Sequence, residues 1–256
     1  MDLIQTIILG VIQGLTEFLP ISSSGHLVLA QHFMGVQNQG ILLEINLHMG
    51  TMFAILIYYY DEIKQLLRSA IKNRENSREY IISLCVATIP AVFTGLFLKS
   101  YIEATYTASL VKYMLIITGL MVGSTYFFQN KIEKEIVVIT AFYIGIAQAF
   151  ALLPGISRSG IVISVALMLG IQKDKAAKFA FFMAIPVLIG AGLLQLFSID
   201  LQPSVTFMQL LAGFISSAVT GYLVINWLLS VISKGKFYLF SLYCFTVSII
   251  AFMLLK

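Results

Sequence analysis

The sequence predicts an all-α polytopic membrane protein with six transmembrane helices plus two re-entrant half-helix hairpins in an inverted-topology repeat. Three observations carry this expectation. Of the 256 residues, 59% are hydrophobic and 11% charged, against about 25% charged in an ordinary soluble domain. A mean hydropathy of +0.93 leaves no room for a large water-exposed domain. The apolar residues also fall into runs near the roughly 20 residues that a membrane-crossing helix needs, and two of the longest runs are interrupted by Pro, Gly and Ser at related places.

The chain opens "MDLIQTIILG", with Asp2 where a secretory signal would carry Lys or Arg and no small-residue cleavage site after it, so this stretch is expected in the mature protein. The first broken stretch, 3–35, is split by "LPISSSG" at 19–25. Spans follow at 41–60, 80–98 and 110–128. The second broken stretch, 136–170, is split by "LPGISRSG" at 153–160, and spans at 179–197, 207–229 and 237–255 complete the chain. The pieces on either side of each break are short for a spanning helix. A hairpin that dips in, turns and leaves on the side it entered accommodates them; eight plain but kinked spans are the alternative.

Charge separates the two. With six spans and two re-entrant hairpins, the loops at 61–79, 129–135, 171–178 and 230–236 share one side. They hold Lys64, Arg68, Lys72, Arg74, Arg78, Lys131, Lys134, Lys173, Lys175, Lys178, Lys234 and Lys236, 12 of the 16 basic residues. The positive-inside rule makes that side cytoplasmic and puts both termini outside. The stretch from Lys64 to Arg78 reads as a solvated loop, and Tyr58, Tyr59 and Tyr60 before it as an interfacial aromatic belt. Short, scattered basic loops do not make a nucleic-acid surface. Cys85 and Cys244 lie inside apolar runs and read as packing residues.

A shift of 135 residues aligns the broken stretches without a gap. Gly10 meets Gly145, Gln13 meets Gln148, Ile21 meets Ile156, Ser22 meets Ser157, Ser24 meets Ser159, Gly25 meets Gly160, Gly35 meets Gly170 and Gln37 meets Gln172. Residues 1–135 and 136–256 are then two repeats, each a hairpin followed by three spans. Three being odd, the second copy lies upside down, and the two hairpin tips can meet. Secondary transporters share this plan, so transport stays open as a function.

The tips gather hydroxyls (Ser22, Ser23, Ser24, Ser157, Ser159), glycines (Gly25, Gly155, Gly160), the cation Arg158, the carboxylate Glu17 and the imidazole His26. Serines, backbone N–H groups and helix N-termini suit an anionic oxygen cluster, and the Arg158 fork can grip two phosphate oxygens. Glu17 would repel such a ligand unless it holds a divalent cation or activates a water. His26 offers proton transfer or nucleophilic attack. The bland counterparts are serines bonded back to helix carbonyls and an Arg158–Glu17 pair that only joins the hairpins. Glu44 and His48, four apart in "EINLHMG", read equally as an interfacial face or a cavity lining.

At these residues the sequence resembles a known family. "QGLTEFLPISSSGH" at 13–26 and "LPGISRSG" at 153–160 resemble the two signatures of the undecaprenyl-diphosphate phosphatase family of the bacitracin-resistance type, and "LEINLHMGTMFAIL" at 43–56 is similar to a third stretch. The resemblance implies a multi-pass enzyme of the bacterial inner membrane, with its site facing the periplasm, that releases phosphate from undecaprenyl diphosphate and recycles the lipid carrier of peptidoglycan. It implies a divalent metal, Mg2+ or Ca2+, on Glu17 and Gln13. Glu17, His26, Arg158, Ser22 and Ser23 would be catalytic, and Ser24, Gly25, Gly155, Ser157, Arg158, Ser159 and Gly160 would bind the diphosphate. Expected partners are the polyprenyl diphosphate, membrane lipids and a second copy of the chain as a homodimer, with no nucleic acid. Val162 stands where the family pattern has threonine, and Gln13 where glutamate is commoner. A polyprenyl-lipid flippase on the same scaffold is the competing function.

Overall fold

The computed structural model describes residues 1–36, 41–72, 74–104, 107–128, 134–196 and 205–255. Gln37 of the repeat, Lys131 of the charge count and the terminal Lys256 lie outside them. Among the described residues, twelve α-helices run in order: α1 Leu3–Phe18, α2 Ser23–Phe33, α3 Ile41–Tyr58, α4 Tyr60–Ile71, α5 Glu75–Phe97, α6 Lys99–Ala104, α7 Ala108–Ser124, α8 Val138–Phe150, α9 Arg158–Met168, α10 Lys173–Leu196, α11 Phe207–Ser233 and α12 Phe240–Leu254. Short 3-10 turns extend α7 to Phe128 and lead into α12 from Phe237.

Among the described residues, five helices, counting the 3-10 turns with α7 and α12, are long and apolar enough to cross a membrane, and α3 with α4, taken as one bent span, makes a sixth. The protein is therefore an all-α polytopic membrane protein. Both broken stretches are helix–turn–helix pairs, α1–α2 and α8–α9, each too short to count as a span. The helix starts follow from local chemistry. Asp2 and Gln5 form a reciprocal capping box at α1, while Ser22 and Ser157 are the N-caps of α2 and α9, accepting from the N–H groups of Gly25 and Gly160.

Helix packing is backbone-close. A Cβ on Gly14 of α1 would sit 2.6 Å from the Ser217 carbonyl of α11, and one on Gly145 of α8 would sit 2.5 Å from the Ala87 carbonyl of α5. Small residues at such crossings let helices gain van der Waals contact where lipid offers no hydrophobic driving force. The largest buried cluster centres on Phe18, Ile55, Phe179, Phe181 and Met183.

The basic segments collect at one end. Lys178 pairs with Glu62 and Lys175 with Glu135. Lys134 N–H donates to Gly170 O at 2.8 Å, and Tyr126 meets Tyr238 at 5.0 Å. Met1 O accepts from Gln209 Nε2 at the start of α11, and Leu255 O accepts from Lys112 Nζ near the start of α7. Both contacts lie at the opposite end.

Three expectations are corrected. Residues 60–71 form a helix, bent 73° from α3, rather than a loop; their charged and apolar residues alternate with helical period. Tyr59 is 4% exposed and packs on Phe182 at 5.2 Å, so it belongs to the core and not to an aromatic belt. Cys85 is exposed on α5, whereas Cys244 is buried as expected.

Candidate functional site

The two hairpin turns touch. A Cβ on Gly25 would lie 3.1 Å from the Gly155 Cα, and one on Gly160 would lie 3.2 Å from the Pro20 Cβ. Leu19 O of the first turn accepts from Ser159 Oγ at 3.0 Å and from Ser157 Oγ at 3.4 Å. Gly155 has φ +94°, a conformation open to glycine. Thr118 of α7 fixes this turn by donating to Gly155 O at 2.9 Å and accepting from Ser157 N–H at 3.0 Å. Ser22 holds φ +70° without being glycine, a strained conformation that persists only where surroundings enforce it.

Beside this joint lies a cavity of about 180 Å³. Its polar wall is Glu17, Ser23, Ser24, Glu44, His48 and Arg158; Ala151, Leu152, Ile156 and segments of α3 and α10 make the rest. Arg158 Nη2 donates to Glu17 Oε1 at 2.5 Å, with side chains 16% and 4% exposed. Glu17 Oε2 accepts from Ser23 Oγ at 2.6 Å and Gln13 Nε2 at 3.1 Å, with His48 Nδ1 3.5 Å away. Gln13 Nε2 also lies 2.8 Å from His48 Nδ1. One carboxylate thus organises a cation, a hydroxyl, an amide and an imidazole drawn from α1, α2, α3 and α9.

Two atoms in this cluster are buried without a partner: Arg158 Nη1, a donor, and Gln13 Oε1, an acceptor. Buried polar atoms are ordinarily satisfied. An orphaned guanidinium N–H beside a cavity invites an anionic oxygen, and an orphaned amide oxygen invites a donor or a cation.

The sequence-predicted residues therefore divide. Glu17, Arg158, Ser23, Ser24 and Gln13 come together at or beside the cavity. Ser22, Ser157 and Ser159 are 1%, 2% and 3% exposed and spend their hydroxyls on helix caps, Leu19 O and each other. Gly25, Gly155 and Gly160 form the contact between turns. His26 faces away: its ring stacks on Tyr243 of α12 at 5.6 Å, with Nε2 2.9 Å from the Tyr243 hydroxyl and Nδ1 2.7 Å from Ser22 O. Val162 is 1% exposed in the core and does not line the cavity.

His48 and Glu44 resolve to cavity lining; their spacing of four on α3 was the available signal. Thr118 and Tyr243 carried none, because each sits in an unremarkable apolar span.

Fold and site together define a polytopic membrane protein with a buried, charge-paired polar chamber at the joint of two broken helices. Residues 6–250 match the family model described as bacitracin resistance protein BacA, and the chain belongs to that family. It is 37% identical to the undecaprenyl-diphosphatase of Halothermothrix orenii, covering 99% of this chain and 98% of that one. It is 37% identical to the protein of the same name from Caldicellulosiruptor bescii, covering 100% and 99%. The Bacteroides thetaiotaomicron undecaprenyl-diphosphatase is 35% identical over 95% of this chain and 96% of its own.

Proposed function

We propose that this chain hydrolyses undecaprenyl diphosphate to undecaprenyl phosphate and inorganic phosphate, recycling the lipid carrier of cell-wall synthesis. The observation that carries this reading is the Ser23–Glu17–Arg158 triplet, with its orphaned guanidinium nitrogen beside the cavity. The names of the relatives support the substrate.

The geometry supports a serine route. Ser23 Oγ attacks the terminal phosphorus as its proton passes to Glu17, the hydrogen-bonded nucleophile–base pair that such chemistry needs. The bond from that phosphorus to the bridging oxygen breaks and undecaprenyl phosphate leaves. Water then attacks the phosphorus of the phosphoserine, the Ser23 Oγ–phosphorus bond breaks as Glu17 returns its proton to Ser23 Oγ, and inorganic phosphate leaves with the oxygen and both hydrogens of that water. Arg158 Nη1 donates to the phosphoryl oxygens, where charge builds up and preorganised donors contribute most. Gln13 and His48 hold the Glu17 carboxylate in place. His26, stacked on Tyr243, steadies the α2 turn.

Among the described residues, no three His, Cys, Asp or Glu side chains are grouped to cage a metal. Mg2+ needs no such cage, because it keeps waters and uses one or two carboxylates plus substrate phosphates. Glu17 and the unpartnered Gln13 Oε1 would hold it, and this sparse set suits Mg2+ better than the many-oxygen shell of Ca2+. When bound it would neutralise diphosphate charge.

The inverted repeat is part of this proposal. It is supported by the exchange in which α1 packs on α11 while its counterpart α8 packs on α5. The proposal also includes a bacterial inner membrane with the basic end cytoplasmic, as the positive-inside rule directs. Glu44 in the first turn of α3 and Gly192 late in α10 would then open the cavity outward. A homodimer remains part of the proposal as the assembly to be measured.

The test is phosphate release from purified protein given undecaprenyl diphosphate, with and without a chelator. Turnover that the chelator abolishes and Mg2+ restores is expected. No release, together with lipid movement across vesicles, would favour the flippase.

A further inference from the structure

The chamber is two-faced. Its charged side is made by α1, α2 and α9 with Glu44 and His48 of α3. The facing side, from α3 and α10, is Ile45, Met49, Val187, Leu188, Ala191 and Gly192. A phosphate-only site has no use for an apolar wall, and about 180 Å³ cannot hold a diphosphate together with a long polyprenyl chain. The chain must leave the cavity, and it loses least by passing from one apolar environment to another. Ala191 is exposed, and on the same helix Ile189 and Leu193 are 43% and 51% exposed. This stretch of α10 thus borders both the cavity and the lipid-facing surface.

Resting on the phosphatase reading above, we propose that the α3–α10 seam seats the first isoprene units of the substrate, with Gly192 and Ala191 as specificity-determining residues. Gly192 keeps the passage open by having no side chain. The nearest atoms that a Cβ there would meet are Met49 Cε at 3.4 Å and Ile45 Cγ2 at 3.8 Å, both side-chain ends on the opposite wall. A leucine at 192 would occupy the space assigned to the prenyl unit. The polar groups that meet the diphosphate stand on other helices and are untouched by that change.

Two measurements test this. In the first, undecaprenyl phosphate carrying a diazirine on its first isoprene unit is photolysed with the unmutated protein, and the labelled peptides are mapped. Labels within 45–49 and 187–192 are expected; labels confined to α11 or α12 would overturn the proposal. In the second, Gly192→Leu should raise KM for undecaprenyl diphosphate on the order of tenfold, as a few misplaced methylenes in an apolar pocket do. The inhibition constant of inorganic diphosphate, which has no tail, should stay within about twofold by the same reasoning. An unchanged KM, or an equal loss for both ligands from a variant with wild-type melting behaviour, would refute the seam as the tail site. If the variant fails to fold, the photolabel map alone decides. Labelling of the seam by a protein that releases no phosphate would sink the hydrolysis reading and leave the tail site standing.

Discussion

Arg158→Lys is the sharpest perturbation of the site, because it keeps the charge and removes the fork. Arg158 reaches Glu17 through Nη2 at 2.5 Å while Nη1 has no protein partner, so the guanidinium can serve carboxylate and phosphoryl oxygen at once. An ammonium is a single point on a shorter stem. Lysine would satisfy Glu17 or the phosphate, and the missing donor is one aimed at developing charge. Removing one such donor elsewhere costs about 2.7–4 kcal/mol, or 10²–10³ in kcat, and the same range is expected here. The fold should tolerate the change, since Glu17 keeps a cation beside it. Arg158→Ala is different: it strands a carboxylate that is 4% exposed and should cost about 3–5 kcal/mol of stability as well. The assay is phosphate release at saturating lipid and Mg2+, with thermal unfolding in the same detergent. Turnover of Arg158→Lys within threefold of the parent would refute the bidentate role and leave Arg158 as a tie between hairpins.

Ser23→Ala should remove turnover by at least about 10²-fold, a typical loss for acid–base partners that act jointly, whereas His26→Ala should lose much less in the same release assay. The reverse order would return the chemistry to His26. Gly155→Ala should unfold several degrees earlier in detergent, because φ +94° and a Cβ within 2.9 Å of the Val111 carbonyl both oppose it, at about 1–3 kcal/mol for the conformation alone; an unchanged melting temperature would contradict the turn geometry. A cysteine at position 2, with Cys85 and Cys244 replaced, should react with an impermeant thiol reagent in intact cells. Reaction only after permeabilisation would invert the proposed orientation.

The division between repeat and site is itself informative. The aligned identities at the breaks, Ser22 with Ser157, Ser24 with Ser159 and Gly25 with Gly160, are mostly caps and contact points that any such turn requires. The proposed chemistry falls where the aligned positions differ: Glu17 aligns with Leu152, Ser23 with Arg158, His48 with Met183 and Glu44 with Phe179. On the proposed repeat, one charged chamber is shared between the halves, with Leu152 as part of its wall.

Composition and run length alone determined that the chain lives in a membrane, because the cost of burying charge in hydrocarbon is read directly from residue types. Run length also located the breaks, since Pro and clustered Ser and Gly interrupt a helix by local stereochemistry, and the same locality made Ser22 and Ser157 legible as polar turn residues. Only the tertiary structure decided what each polar group faces. His26 and Ser23 lie three residues apart, yet one stacks on Tyr243, 217 positions away, and the other bonds Glu17. His48 joins the same carboxylate from another helix. Orientation around a helix axis is set by which neighbours pack against it, and those neighbours are distant in sequence, so no local pattern could have assigned them.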